Sequence, residues 1–211
     1  MSDGGRMVPV FLDPAGRKIV VFGGGAVALR KCKHFEGFRI EVVAEETLPE
    51  VAEAAEAVVR STVTAGNAGL FMDGADMVIA ATSSKELNGA IRDAAMKRGI
   101  PVNSAHGGGD VLIPSTLRRG GFTVAVSSEG SAPAFPPYVA AQIDGFLDEP
   151  YEKMLGLLVE LRPAVMGQIG TQPERAEALE RIIKDPEIWR MLRSGDEEGA
   201  LYAAKKKGGL E

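Results

Sequence analysis

The sequence predicts an α/β protein with a Rossmann-like parallel sheet, followed by a small β-hairpin region and a helical C-terminal region. Three observations lead to this fold class. An apolar strand at about 17–22 runs directly into a glycine-rich turn and a helix. Apolar strands and helices then alternate to about residue 112, and after residue 150 the apolar spacing is helical. We therefore expect three regions, residues 1–112, 113–149 and 150–211.

The glycine-rich turn after the first strand has the pattern of a dinucleotide-binding motif. Gly23 allows the tight turn out of the strand, Gly25 lets backbone N–H groups approach a pyrophosphate, and Ala28 is small enough for the helix to pack on the strand. The anion would then sit at the positive end of that helix. The turn therefore predicts a bound dinucleotide.

The predicted helix at about 26–36 and strand at Arg39–Ala44 complete the βαβ unit that this motif requires. Glu45 follows about 20 residues after the glycines, where an acid commonly accepts the ribose hydroxyls of NAD. The alternative is that Glu45 is a solvated acid at the start of a helix. An acid facing the ribose would repel a 2′-phosphate, which favours NAD over NADP.

The first domain continues this alternation to a crevice at the carboxyl ends of its strands. The predicted elements are a helix at 48–58, a strand at 59–62, a central strand at 76–81, a helix at 85–98 and a strand at 100–103. Thr82 follows the central strand on the crevice side, where open α/β sheets bind ligands. Ser84 belongs either to the same crevice or to the N-cap of the next helix.

The loop at 103–110 is the most unusual segment of the chain. It places His106, one of only two histidines, and Asp110 on either side of three glycines. Residues without side chains let a flat ligand approach the backbone, and His106 or Asp110 could take a proton near neutral pH. The alternative is a flexible connector in which Asp110 is an ordinary surface acid.

The remaining chain predicts a hairpin and then helices. Residues 111–118 and 122–127 are β-rich and flank Arg119-Gly120-Gly121, which is typical of a hairpin turn. A small β element leaves strand edges that a second copy of the chain can cover, so we expect a homodimer built on this dimerisation region. The helical pattern from residue 133, with helices around 175–184 and 188–193, carries no chemical motif.

Composition and charge exclude several classes of protein. The net charge of -5 and the lack of a basic block argue against nucleic-acid binding. The single cysteine, Cys32, allows no intrachain disulfide and no cysteine-based metal site, and we expect it to be a buried apolar residue. There is no apolar run of membrane-spanning length and no signal-peptide pattern, so we expect a cytoplasmic protein without a membrane association.

A set of segments between about residues 7 and 146 is similar to one known family, in the same order along the chain. They are Leu12-Asp13, Gly16 to Val21, Gly23 to Lys31, Val78 to Thr82 with Leu87-Asn88, Ile113-Pro114, Val124 to Ser128 and Gly130 to Pro133. Together they resemble precorrin-2 dehydrogenase, the N-terminal module of siroheme synthases. The resemblance implies NAD-dependent oxidation of precorrin-2 to sirohydrochlorin in siroheme biosynthesis, in some members followed by iron insertion. It also implies an intertwined dimer.

The resemblance assigns cofactor contacts to the glycine turn and to two acids after the second strand. The contacts are Gly23, Gly24, Gly25, Ala26, Val27, Glu45 and Glu46. Thr82 is a further candidate contact because of its position at the crevice. One departure affects the proposed chemistry. Where the family has Asn-Val-Val-Asp, with an aspartate implicated in catalysis, this chain has Asn103-Ser-Ala-His106. The role of that aspartate is therefore taken by His106 or by Asp110. We expect this departure to reduce metal insertion more than dehydrogenation.

The leading hypothesis is thus a dehydrogenase in which His106 or Asp110 accepts a proton from a polycarboxylate tetrapyrrole. Arg118 and Arg119 are candidates to bind its anionic arms, or are solvated residues at the hairpin tip. Two other hypotheses stay open, a non-catalytic NAD-sensing module and a dehydrogenase of another small acid.

Overall fold

A computed structural model describes residues 7–211 of the chain. The chain divides into two compact units, one that ends at Ile113 and one that begins at Pro114. The first contains a five-stranded parallel sheet, and the second contains a two-stranded hairpin followed by five helices. The predicted fold class is confirmed.

The parallel sheet has the strand order β3-β2-β1-β4-β5. Its strands are β1 Lys18–Phe22, β2 Arg39–Ala44, β3 Ala57–Arg60, β4 Met77–Ala80 and β5 Val102–Ser104. The connecting helices are α1 Ala26–His34, α2 Pro49–Glu53 and α3 Lys85–Lys97, with a short 3₁₀ helix at Ala68–Phe71. Strand order reverses between β1 and β4, which creates the crevice at which open parallel sheets bind ligands.

The central strands are apolar because both faces of the sheet are covered. In β1, Ile19 and Val21 face a core that includes Ala28 and Cys32 of α1. Val20 and Phe22 face the opposite core, which α3 and the 3₁₀ helix complete. Cys32 is buried, and burial raises the pKa of its thiol. A strand buried on both sides needs no polar alternation, which explains the continuous apolar runs of β1 and β4.

Several element boundaries differ from the sequence prediction. The helix expected at 48–58 ends at Glu53, because Val58 and Val59 pair with β2 as strand β3. The last strand of the sheet is Val102–Ser104 rather than 100–103. The β-rich run at 111–118 forms a strand only from Ser115, since Pro114 has no N–H to donate to a ladder.

In the second unit, an antiparallel hairpin precedes the helices. Its strands are β6 Ser115–Arg119 and β7 Phe122–Val126. The helices are α4 Phe135–Phe146, α5 Glu149–Gln168, α6 Gln172–Ile183, α7 Pro186–Ser194 and α8 Glu197–Gly208. Helix α4 packs against both strands. Helices α5 to α8 share a separate apolar core, in which Leu161, Ile182, Ile188 and Leu192 are almost completely buried.

Candidate functional site

An open cleft of about 810 Å³ lies at the carboxyl ends of β1, β2 and β4. Its lining combines the glycine turn, the residues that follow β2 and β3, and the residues that follow β4. The lining residues are Gly23, Gly24, Gly25, Ala26, Val27, Val43, Ala44, Glu45, Glu46, Ser61, Thr62, Val63, Ala81, Thr82, Ser83 and Leu87. All eight residues expected from the sequence to contact a cofactor are therefore part of one cleft.

The three glycines of the turn have different surroundings. Gly23 has a φ of 117°, and a Cβ there would run into the Ala81 carbonyl oxygen. A Cβ on Gly24 would run into the backbone of Glu46, because the Leu48 N–H donates to the Gly24 carbonyl at 2.9 Å and holds the two segments together. A Cβ on Gly25 would meet no protein atom within 4 Å apart from those of its own chain neighbours. Gly23 and Gly24 thus serve the fold, while Gly25 faces open space.

Gly25 is also the N-cap residue of α1, and no side chain caps this helix end. The first N–H groups of a helix lack intrahelical partners and carry partial positive charge. An uncapped helix start beside a glycine with open space is a suitable site for an anion such as a pyrophosphate. The residues present therefore fit a dinucleotide.

Two acids follow β2 at the rim of the cleft. The Glu45 carboxylate accepts a short hydrogen bond from the Thr62 hydroxyl, and Arg60 donates to the Glu45 carbonyl oxygen at 3.3 Å. Thr62 therefore holds Glu45 in place from the end of the neighbouring strand. Sequence reasoning did not single out Thr62. Its position just after β3, at the same sheet edge as Glu45, is the signal that could have identified it.

Thr82 and Ser84 have separate roles after β4. Thr82 lines the cleft, and its backbone N–H and its hydroxyl both donate to Oδ1 of Asn88, at 3.0 and 2.7 Å. Ser84 is the N-cap of α3, since its hydroxyl accepts from the Leu87 N–H at 3.1 Å. The N-cap interpretation of Ser84 is therefore the one that the structure supports.

His106 and Asp110 lie in the loop after β5, and neither is among the described residues that line the cleft. One carboxylate oxygen of Asp110 accepts from the Val102 N–H at 2.6 Å, which fastens the end of the loop to β5. Nδ1 of His106 lies 2.8 Å from Nδ2 of Asn88. Both side chains are exposed, and each is tied to the sheet or to α3 through one atom.

The loop glycines are required by the backbone itself. Gly107 and Gly108 have φ values of 83° and 84°, in the left-handed region that favours glycine. A Cβ on Gly109 would run into the Val102 carbonyl oxygen. The backbone conformation therefore explains these glycines without a flat ligand.

Asn103 contributes a polar atom without a partner beside this loop. Its side chain is 6% exposed, and its Nδ2 donates to the Val111 carbonyl at 2.9 Å. Its Oδ1 is buried and accepts no hydrogen bond from the described residues. An unpaired buried acceptor costs about 1–3 kcal/mol, so Asn103 is a destabilising feature beside this loop.

The two hairpin arginines differ in availability. Arg119 donates to the Asp144 carboxylate at 2.6 Å, and this hydrogen bond raises the pKa of its guanidinium. Arg118 is exposed and has no ion-pair partner among residues 7–211. Of the two candidates for binding an anionic substrate, only Arg118 therefore has its guanidinium available.

The described part of the chain, residues 7–211, contains neither a metal-binding cluster nor a membrane-spanning helix. Within it, no group of three or more His, Cys, Asp or Glu side chains is placed to hold a metal ion. Over the same residues, no helix combines the length and the apolar character needed to cross a membrane.

An open parallel sheet with a glycine turn and an uncapped helix at its switch point, and acids after β2, defines a dinucleotide-binding protein. Comparison with known proteins agrees, since residues 10–115 match the model of an NAD(P)-binding family. Precorrin-2 dehydrogenase of Methanosarcina barkeri is 34% identical over 96% of this chain and 94% of its own length. The chain therefore belongs to the precorrin-2 dehydrogenase family.

Two other similarities place this relationship in context. A solved structure, SirC, a precorrin-2 dehydrogenase, superposes with a TM-score of 0.74 at 26% identity, covering 95% of this chain and all of the other. Siroheme synthase of Stutzerimonas stutzeri is 28% identical over 96% of this chain but only 44% of its own length. The chain thus matches at least 94% of the length of both dehydrogenases and spans less than half of this siroheme synthase.

Proposed function

We propose that the protein oxidises precorrin-2 to sirohydrochlorin with NAD, in siroheme biosynthesis in the cytoplasm. The observation that carries the proposal is the open space at Gly25 beside the uncapped start of α1, in a chain that matches a precorrin-2 dehydrogenase over 96% of its length. The cleft supplies the dinucleotide site, and the family relationship supplies the substrate.

The acids after β2 support NAD over NADP. Glu45 and Glu46 both line the cleft, and Thr62 holds the Glu45 carboxylate at its rim. A carboxylate at this position accepts ribose hydroxyls and repels a 2′-phosphate. Arg60 contacts the backbone of Glu45 rather than its carboxylate, so it does not neutralise that charge by direct pairing.

The dehydrogenation removes one hydride and one proton from the macrocycle. Bound NAD would take the hydride at C4 of its nicotinamide. We propose that Asp110 or His106 accepts the proton, with Asp110 the first candidate. Only one carboxylate oxygen of Asp110 is hydrogen-bonded to the Val102 N–H, which leaves the other free to accept a proton.

We also propose that metal insertion is weak or absent. His106 stands where the family pattern has an aspartate, and stripping protons from pyrrole nitrogens needs a suitably placed base. The substitution His106→Asp restores that pattern and should raise the rate of Co²⁺ insertion into sirohydrochlorin. Parental protein that inserts Co²⁺ as fast as it oxidises precorrin-2 would contradict this part of the proposal.

A homodimer completes the proposal. The hairpin is a two-stranded sheet with unpaired edges, and α4, which packs on it, leaves Phe135, Tyr138 and Phe146 exposed at 59%, 60% and 68%. An isolated hairpin is marginally stable, and aromatic side chains left in water favour association. A second copy of the chain is the occupant we propose for this surface.

The test is an anaerobic assay with precorrin-2 and either NAD or NADP, which follows sirohydrochlorin and reduced nucleotide together. We expect equal amounts of both products and a clear preference for NAD. Binding of NAD without turnover would support the NAD-sensing alternative. Turnover with NADP at the NAD rate would remove the role proposed for Glu45.

A further inference from the structure

Asn88 connects the end of β4 to His106. Its side chain is fully buried near the start of α3. Oδ1 accepts from the backbone N–H and the hydroxyl of Thr82, at 3.0 and 2.7 Å, while Nδ2 donates to the Thr82 carbonyl at 2.9 Å. The same Nδ2 lies 2.8 Å from Nδ1 of His106.

The partners of Asn88 fix which end of its amide is which. A backbone N–H can only donate and a backbone carbonyl can only accept, so Thr82 alone determines the positions of Oδ1 and Nδ2. One hydrogen of Nδ2 points to the Thr82 carbonyl, and the other is available to His106. If the two ends of the amide were exchanged, Nδ2 would face the Thr82 N–H, donor against donor. Oδ1 would then face the Thr82 carbonyl, acceptor against acceptor.

The orientation of Asn88 in turn determines the tautomer of His106. Because Nδ2 is a donor, Nδ1 of His106 has to accept, and a neutral imidazole that accepts at one nitrogen carries its hydrogen on the other. A hydrogen on Nδ1 would face a hydrogen of Asn88. Nε2 of His106 has no hydrogen-bond partner among residues 7–211, and the residue is exposed.

We infer that Asn88 is a positioning residue that holds His106 as the Nε2–H tautomer, so that His106 meets its ligand as a hydrogen-bond donor. The ligand group is a carboxylate oxygen of the tetrapyrrole, and this identification rests on the proposed function. The tautomer itself does not depend on it. His106 then binds and orients the substrate, and the proton passes to Asp110.

The tautomer is tested directly by long-range ¹H–¹⁵N correlation of histidine-labelled protein above neutral pH. The chain has only two histidines, so a His34→Gln variant assigns both sets of signals. We expect His106 to show a protonated Nε2 and an unprotonated Nδ1. In Asn88→Asp the new carboxylate accepts from Nδ1, so the pattern should reverse. Asn67→Asp, whose hydrogen bonds go only to the backbone at Thr62 and Thr64, should leave it unchanged.

The donor role is tested by comparing His106→Gln with His106→Ala. Glutamine can donate from its side-chain nitrogen but cannot accept a proton near neutral pH. We expect His106→Gln to keep part of this hydrogen bond and therefore to have a kcat/KM for precorrin-2 several-fold above that of His106→Ala. His106→Ala should lose about 10- to 100-fold, the value of a hydrogen bond to a charged group. NAD affinity should be unchanged in both.

The outcomes separate this inference from the proposed function. A parental His106 with its hydrogen on Nδ1 overturns the inference, as does an Asn88→Asp protein with the parental pattern. If Asn88→Asp fails to fold, the spectrum of the parental protein still tests the tautomer. The comparison of His106→Gln with His106→Ala still tests the donor role. Equal losses in both His106 variants overturn the donor role. The expected tautomer in a protein that does not turn over precorrin-2 would instead overturn the proposed function alone.

Discussion

At the scale of single residues, a side chain at position 25 is compatible with the fold but should interfere with binding of the pyrophosphate. Apart from its chain neighbours, no residue has an atom within 4 Å of a Cβ built on Gly25, so Gly25→Ala and Gly25→Asp should both fold. The aspartate places a negative charge where the pyrophosphate approaches. Two like charges about 4 Å apart near a protein surface repel by roughly 4 kcal/mol, so NAD affinity should fall by about 100-fold or more. Calorimetric titration with NAD measures this loss.

The neighbouring glycine provides the contrast. Gly24→Ala would push a methyl group into the backbone of Glu46 and should lower the melting temperature. Gly25→Ala adds a side chain without a charge, so its NAD affinity shows how much of the loss in Gly25→Asp is caused by steric bulk alone. Unchanged NAD affinity in a folded Gly25→Asp protein would remove the basis of the cofactor assignment.

Asp110 combines a structural contact with a proposed chemical role, and two substitutions separate them. Asp110→Asn keeps an oxygen to accept from the Val102 N–H but cannot take a proton, whereas Asp110→Ala loses both. Both should lower kcat by about 100-fold, the usual scale for a lost general base. Only the alanine variant should also lower stability, by about 1–3 kcal/mol. Stopped-flow turnover and urea unfolding measure the two effects, and a parental kcat in Asp110→Asn would exclude Asp110 as the base.

Sequence reasoning identified eight of the sixteen residues that line the cleft, because backbone requirements leave clear patterns. The glycine that directly follows β1, and the acid that directly follows β2, are local features. The contacts of Thr62 with Glu45, and of Asn88 with Thr82 and His106, join residues from different elements. Such side-chain partners depend on sheet order and helix placement, which the local sequence does not specify.

At the scale of elements, the largest boundary error, at the helix expected over 48–58, is set by tertiary pairing. The pattern at 48–58 suits a helix, but Val58 pairs with Val42 of β2, and that pairing ends the helix at Glu53. The existence of the hairpin was predicted because its glycine turn and alternating strands are local, although its first strand runs from Ser115 to Arg119 rather than over 111–118. Helices α6 and α7 were also found near their true positions, since each has its own helical spacing and start signal.

The start of α7 leads to a prediction about stability and pH. Asp185 is the N-cap of α7 and pairs with Lys207 of α8, with 2.8 Å between the carboxylate and the ammonium. The hydrogen bond from Lys207 and those from the backbone N–H groups of Glu187 and Ile188 lower the pKa of Asp185. A lowered pKa in the folded state contributes stability above the unfolded value, near 3.9, that is lost as the pH falls through the folded value.

Asp185→Ala should therefore destabilise the second unit at pH 7 by about 1 kcal/mol, the usual cost of a lost N-cap. The difference from the parental protein should shrink as the pH falls below about 4. Trp189, the only tryptophan of the chain, lies in α7, so its fluorescence during urea unfolding reports on this unit. Lys207→Ala should also destabilise it, and Lys206→Ala serves as the matched control. A gap between parental and Asp185→Ala proteins that persists well below pH 4 would contradict the assignment.

At the scale of the whole molecule, the hairpin and α4 bury fewer of their apolar residues than the other elements do. The sheet of the first unit is covered on both faces, and α5 to α8 form a closed core. Helix α4 is different, because Pro136 is its only buried residue although most of its residues are apolar. The hairpin and α4 are thus the part of the described chain that has most to gain from contact with another surface.

A second copy of the chain should supply that contact, so the protein should be a dimer at micromolar concentration in light scattering. Because Phe135 and Tyr138 already face water in the single chain, Phe135→Arg with Tyr138→Arg should not disturb its fold. The double variant should be a folded monomer, and its segment 111–127 should exchange amide hydrogens faster than in the parental dimer. Tyr202→Arg, a change at an even more exposed tyrosine in α8, should remain dimeric. A parental monomer would refute the dimer, and a dimeric double variant would place the interface elsewhere on the molecule.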